Sequence, residues 1–121
     1  MSREGLVVTT RELRELLAFW QPALRLADWD IEVHARTRKS LNGDDGEAAI
    51  YPEIKEAEIG VVSTKPSSAY ADHETILVHE LLHCHLERLR NDSTDGEVER
   101  IIEDLSKAIV RIQRNAAREG G

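Results

Sequence analysis

The strongest constraint on the fold of this chain is the segment His79-Glu80-Leu81-Leu82-His83, an H-E-x-x-H pattern within an apolar run. Residues four apart in an α-helix lie on the same face, roughly 6 Å apart along the axis, so the two imidazoles point in one direction. Apolar residues surround the helix on nearly all sides, which predicts that it is mostly buried. These residues are Ile76, Leu77, Val78, Leu81, Leu82 and Leu86.

Polar groups on a buried helix need partners. Without them, burial costs roughly 1–3 kcal/mol per neutral group and more for an ionised carboxylate. A zinc ion removes this cost, because His79 and His83 can each reach it at about 2.0–2.1 Å. Glu80 can then face a water on that ion and take its proton without binding the metal. The alternative is an ordinary helix with hydrogen-bonded histidines, since so short a motif can arise by chance.

Composition limits the broad class of the protein. A chain of 121 residues supports one domain spanning residues 1–121. The net charge of −7 argues against broad binding to nucleic acid or to anionic membranes. No segment approaches the ~20 apolar residues of a membrane span, and the first residues lack the apolar core of a signal peptide. Because Cys84 is the single cysteine, no intrachain disulfide can form, and we expect a cytoplasmic protein.

Hydrophobic periodicity predicts an α+β domain in the order helix, small sheet, helix, helix. Thr9 and Glu12 predict a capping box at the start of the first helix. Gly43 and Gly46 occupy turn positions where positive φ is expected. The predicted strands are the alternating Ile31, Val33 and Ala35, then 48–51, then the alternating Ala57, Ile59 and Val61. The motif helix is predicted over about 72–89 and the last helix over about 95–114, with a disordered tail over 116–121.

The third zinc ligand is not given by the motif, although catalytic zinc usually has three protein ligands. His85 lies about 240° round the motif helix from His79, and His73 falls on the opposite side of that helix. His34 lies on the polar phase of its strand, where we expect it to be solvated. Cys84 lies about 140° round from His79, and we interpret it as a small buried residue. The last helix is therefore the better source of a third ligand.

Three glutamates of the last helix are candidates. Glu99 lies beside the apolar stripe, where it can point along the seam between helices, and Glu103 lies one turn further on the same side. Glu97 flanks the other edge. The stripe consists of Val98, Ile101, Ile102, Leu105, Ala108, Ile109 and Ile112. Glu99 is favoured, because it borders the stripe and has an acidic residue four positions later on the same side.

These residues carry a family resemblance. The motif followed by a helical Glu-x-x-x-acid, Glu99 to Glu103, resembles the glutamate-ligated zincins, or gluzincins. Over about residues 10–112, the chain is also similar to the small zincin domains of phages and prophages and to ImmA/IrrE-type domains. It departs from the ImmA-like pattern at Glu103, where Asn is expected. The matching segments are 28–33 (D-W-D-I-E-V), 57–59 (A-E-I), 79–83, and Glu99 with 105–106 (L-S).

The resemblance implies a minimal zinc metallopeptidase. His79, His83 and Glu99 would hold about one Zn²⁺ per chain, with water in the fourth position. Glu80 would act as general base and then pass the proton to the leaving amine. Glu103 would orient a ligating histidine from outside the metal's own ligand shell.

The resemblance also implies how a peptide or protein substrate binds. In zincins an edge strand just before the motif helix pairs antiparallel with the peptide, and the strand carrying Ala57, Ile59 and Val61 occupies that place in this sequence. Tyr70, just before the motif helix, is a candidate donor to the oxyanion, with side-chain packing as the alternative.

Two other functions remain open from the sequence. One is a zinc-stabilised binding or regulatory module without turnover, and the other is a zinc amidohydrolase acting on a small amide. Glu80 counts against the first, because a structural zinc site needs no general base and closes its fourth position with a protein ligand.

Overall fold

The computed structural model describes residues 7–67, 72–89 and 93–120. Within these ranges the chain forms three α-helices and a three-stranded mixed sheet, so the predicted α+β class is confirmed. The elements are α1 (Thr10–Ala23), β1 (Asp30–Arg36), β2 (Gly46–Tyr51), β3 (Glu56–Val62), α2 (His73–Leu86) and α3 (Asp95–Gly120). A single 3₁₀ turn, Glu87–Leu89, follows α2.

The helix α1 begins at the predicted capping box. The backbone N–H of Glu12 donates to the Thr9 hydroxyl at 3.1 Å, and the backbone N–H of Thr9 donates to the Glu12 carboxylate at 2.9 Å. These bonds satisfy N–H groups that a helix start otherwise leaves without acceptors. The buried face of α1, which carries Leu13, Leu17 and Trp20, lies against β1 and α2.

The sheet has the strand order β1-β3-β2. β2 and β3 form an antiparallel hairpin, and β1 pairs with the other side of β3 in parallel. In the central strand β3, Ala57 lies opposite both Ile31 and Ile50, and Ile59 lies opposite both Val33 and Ala48. The prediction that β3 is a free edge strand for substrate is therefore wrong. The edge strand next to the motif helix is β2.

The motif helix α2 is buried on most of its surface, as its apolar composition predicts. It lies across β2 and β3 on one side and contacts α1 and α3. Its N-terminus is capped by Asp72, whose carboxylate accepts a hydrogen bond from the Thr75 backbone N–H at 2.8 Å. The position of α2 under the sheet brings the motif to the side of β2.

Side-chain bonds from both other helices hold the first turn of α2. The indole N–H of Trp20 donates to Glu74 at 2.7 Å. The Arg114 guanidinium of α3 lies 2.9 Å from Glu74 and 2.7 Å from Asp72. α1 and α3 are therefore both tied to the turn from which the motif is presented.

The helix α3 differs from its prediction in length and in buried face. It continues to Gly120, through the segment for which a disordered tail was expected, because 116–119 (A-A-R-E) consists of good helix formers. Its most buried residues are Val98, Ile102, Ser106 and Val110. Of the rest of the predicted apolar stripe, Ile109 is partly buried against the core, and the other members are exposed to solvent: Ile101, Leu105, Ala108 and Ile112. No helix in the described ranges has the length and apolar character required to cross a membrane.

Candidate metal centre

A cleft lies between α2, α3 and β2, with the loop before β2 forming one wall. Its volume is about 450 Å³. Seven carboxylates and two histidines line it, and none of its lining residues is Lys or Arg, so it is suited to cations. The lining residues are Asp44, Asp45, Gly46, Glu47, Ala48, Ile50, Thr75, Ile76, His79, Glu80, His83, Glu87, Glu99, Glu103 and Ser106.

The two motif histidines stand on one face of α2. Their ring centroids are 5.2 Å apart and their planes are inclined at 58°. His83 is buried, whereas His79 is partly open to the cleft. The four-residue spacing along the helix produces this arrangement directly.

Glu99 of α3 bridges both imidazoles. Its Oε1 lies 3.4 Å from Nε2 of His79, and its Oε2 lies 3.1 Å from Nε2 of His83. One donor atom from each of the three residues falls within 4.8 Å of the others. Ligands placed tetrahedrally about 2.0–2.1 Å from a zinc ion lie roughly 3.3–3.4 Å apart, which is close to the two distances from Glu99 to the imidazole nitrogens, so the donor set suits such a site.

Glu103 approaches the other nitrogen of His79. Its Oε1 lies 3.5 Å from Nδ1, while its Oε2 lies 3.2 Å from the Lys107 ammonium. A carboxylate at Nδ1 favours the tautomer that carries the proton there and leaves Nε2 as the electron-pair donor. Glu97 is exposed at the start of α3 and does not line the cleft.

Glu80 lies on the wall of the cleft nearest to β2. The residue is only 8% exposed. A Cβ atom added to Gly46 would lie 3.0 Å from Oε2 of Glu80, 2.8 Å from Cγ2 of Ile76 and 3.1 Å from the carbonyl oxygen of Gly60. Gly46 therefore allows the strand to approach the carboxylate closely.

Sequence reasoning assigned Gly46 a different role. Positive φ in this turn occurs at Asn42, at 56°, and at Gly43, at 89°, whereas Gly46 begins β2. The prediction of positive φ was therefore wrong for Gly46. A glycine at the first position of an edge strand is the signal that could have indicated a close approach of backbone to side chain.

Asp45 fixes the loop that leads into β2, and it was also missed. Its carboxylate accepts hydrogen bonds from Arg38 at 3.0 Å and from the Ser67 backbone N–H at 2.9 Å. Burial acts to raise the pKa of Asp45, but the bonds from Ser67 and Arg38 outweigh it, and the pKa lies below its ordinary value. This loop is thereby tied to the segment that follows β3.

The remaining histidines are engaged away from the cluster. His34 lies 3.5 Å from Glu32 on the exposed side of the sheet. Nε2 of His73 lies 2.8 Å from the Thr64 carbonyl oxygen, and Nε2 of His85 lies 2.6 Å from that of Leu24.

Two further predicted residues complete the description. Cys84 is buried, and desolvation, followed by the negative charge of Glu80, raises the pKa of its thiol to about 12. Tyr70, the candidate oxyanion donor, lies outside the described residues.

Comparison of the chain with known protein families found no matching family model, and no significantly similar curated protein or solved structure was found. The functional argument therefore depends on the residues of the cleft themselves.

Proposed function

We propose that this protein is a zinc-dependent metallopeptidase. The observation that supports this most directly is the convergence of His79, His83 and Glu99 in a cleft whose wall carries Glu80. Two imidazoles and one carboxylate are one of the donor sets found in catalytic zinc sites, which leave the fourth position open.

His79, His83 and Glu99 would hold the ion, with the carboxylate coming from a different helix than the histidines. When bound, zinc polarises a carbonyl oxygen and lowers the pKa of water, which makes hydrolysis feasible near neutral pH. Glu103 keeps a proton on Nδ1 of His79, so that Nε2 stays available as a ligand.

Glu80 is the general base in this proposal. It follows His79 directly on α2, but its side chain is turned toward β2 and lines the cleft without belonging to the donor cluster. Its carboxylate accepts a proton from the attacking water and then donates it to the leaving amine. The close packing of Gly46 and Ile76 restricts where that carboxylate can move.

The edge of β2 offers a surface along which a peptide substrate can bind. β2 pairs with β3 on one side, and Ala48 and Ile50 of this strand line the cleft together with the motif residues. An extended peptide can add to such an edge through backbone hydrogen bonds. This pairing would carry the scissile bond past Glu80.

A cytoplasmic location belongs to the same proposal, because the buried thiol of Cys84 suits a reducing compartment.

The decisive experiment separates binding of zinc from hydrolysis. Wild-type protein and the Glu80→Gln variant are assayed for zinc content and for cleavage of a mixed peptide library. We expect about one zinc per chain in both proteins. Cleavage should fall by about 10²–10⁴-fold in the variant, because the amide keeps the shape of the side chain but cannot take a proton.

Glu58→Gln serves as the matched control, because it removes the same charge from an exposed position on β3 outside the cleft. It should retain both zinc and activity. Wild-type protein that binds no zinc would contradict the proposal, and so would cleavage that is unchanged in Glu80→Gln.

A further inference from the structure

The outer helix α3 exposes an apolar stripe that nothing in the described part of the chain covers. Ile101 is 51% exposed, Leu105 is 44% exposed and Ile112 is 66% exposed, and the side chain of Ala108 between them is also exposed. α3 packs on α2 through a different face, which carries Ile102 and Ser106. We propose that a second copy of this chain covers the stripe, with the two α3 helices antiparallel.

The spacing of the stripe is that of a coiled-coil seam. Val98, Leu105 and Ile112 fall at one heptad position and Ile101 and Ala108 at the other, so apolar residues alternate at intervals of three and four. Val98 is buried in the protein's own core, which leaves the seam open from Ile101 to Ile112. A second helix with the same spacing fits this seam.

Charge selects the antiparallel orientation. Asp104 and Arg111 lie seven residues apart on the same flank of the seam, both are exposed, and neither has an ion pair or hydrogen bond among the described residues. When Ile101 faces Ile112 of the second copy, Asp104 faces Arg111 of the second copy. The two-fold symmetry produces this ion pair twice. In a parallel pair these side chains would instead approach apolar positions.

The predicted dimer is weak and leaves the cleft open. About three helical turns of seam bury much less than the roughly 800 Å² per partner of a standard stable interface, so we expect reversible dimerisation. Glu99 and Glu103 lie on the flank of α3 opposite to the stripe, facing α2. Dimerisation is therefore independent of the proposed zinc site and does not rest on it.

Sedimentation equilibrium of the full chain over a wide concentration range measures the dimer dissociation constant. The inference is tested with variants that reverse the charge of Asp104 or Arg111. Asp104→Arg and Arg111→Asp should each raise the dimer dissociation constant by about tenfold or more, because each turns two attractive pairs into two repulsive ones. The double variant should return to within a few-fold of wild type. Arg11→Asp on α1 is the control, since it reverses a highly exposed charge elsewhere and should have no effect.

Ile112→Glu should abolish dimerisation while leaving zinc content and the circular dichroism spectrum unchanged, because the side chain is exposed in the monomer. A wild-type protein that stays monomeric at millimolar concentration would overturn the inference. A dimer that is insensitive to Ile112→Glu, or one that the double exchange fails to restore, would overturn it as well.

Discussion

The two α3 glutamates that face His79 approach different nitrogens of its ring. Glu99 reaches Nε2 and bridges to His83, whereas Glu103 reaches Nδ1 and also contacts Lys107. A side chain that approaches Nε2 of both histidines can share an ion with them. A side chain at Nδ1 can influence such an ion only indirectly, by orienting the imidazole ring. In the proposed zinc site, the difference of four residues along one helix would therefore separate a ligand, Glu99, from a residue that positions a ligand, Glu103.

This difference predicts the order of zinc affinities. Glu99→Ala should weaken zinc binding severely, because it removes one of the three proposed donors. Glu103→Ala should weaken it by about 10–100-fold, as expected for a group that orients a ligating histidine. Glu97→Ala should change little, because Glu97 is exposed outside the cleft. Competition with a chelator measures all three, and a larger loss for Glu103 or Glu97 than for Glu99 would refute the assignment.

Helical periodicity placed His79 and His83 on one face of α2 and Glu99 at the edge of the apolar stripe of α3, although part of that stripe is exposed in the structure. That is why His79, His83 and Glu99 could be grouped before the structure was known. Gly46 could not be connected to Glu80 in the same way. Their contact arises from how closely β2 packs on α2, and local sequence does not encode that distance.

At the scale of elements, β2 can approach α2 closely because Gly46 has no side chain. Ile76 and Glu80 face Gly46 from one side and the backbone of Gly60 faces it from the other, so a methyl group has little room. Gly46→Ala should displace the strand or the carboxylate and reduce peptide cleavage strongly, while zinc stays bound. Overpacking of this kind costs about 1–3 kcal/mol of stability.

Gly96→Ala is the matched control for this prediction. An added Cβ at Gly96 meets nothing within 4 Å, and the residue lies in the first turn of α3, where alanine favours the helix. It should therefore keep full activity and unfold at an equal or higher temperature. Activity in Gly46→Ala that matches wild type would show that the close contact does not position Glu80.

The order of the strands in the sheet could not be predicted from the sequence pattern either. β3 has the alternating pattern of a strand with one covered face, and this pattern is the same for a central and for an edge strand. Its central place follows from pairing with β1, from which it is separated in sequence by the loop 37–45, β2 and the turn 52–55. Such non-local pairing leaves no periodic signature, so the place of β3 just before the motif helix, from which its role as an edge strand was predicted, does not reveal that the strand is central.

On the scale of the whole molecule, two carboxylates join segments that are distant in sequence. Asp45 ties the loop before β2 to the segment after β3 through Arg38 and Ser67. Asp72 caps α2 and pairs with Arg114 of α3. Burial acts to raise the pKa of Asp72, but the bonds from Thr75 and Arg114 outweigh it, so its pKa lies below its ordinary value, as does that of Asp45.

These lowered pKa values predict a loss of stability in acid. A carboxyl group whose pKa is lower in the folded than in the unfolded chain stabilises the fold above its unfolded value, here 3.8, and this contribution is lost as the pH falls through the folded value. Asp45→Asn should therefore reduce the free energy of unfolding by about 1–2 kcal/mol at pH 7. The difference from wild type should shrink as the pH falls below 3.8.

Asp44→Asn, at the exposed neighbouring position, is the control and should show no comparable difference at any pH. Urea unfolding of the three proteins between neutral pH and pH 3, at constant free zinc, measures this, since a pH dependence of zinc binding common to all three cancels in the differences. A difference for Asp45→Asn that stays constant down to pH 3 would mean that the ionised carboxylate does not hold the loop.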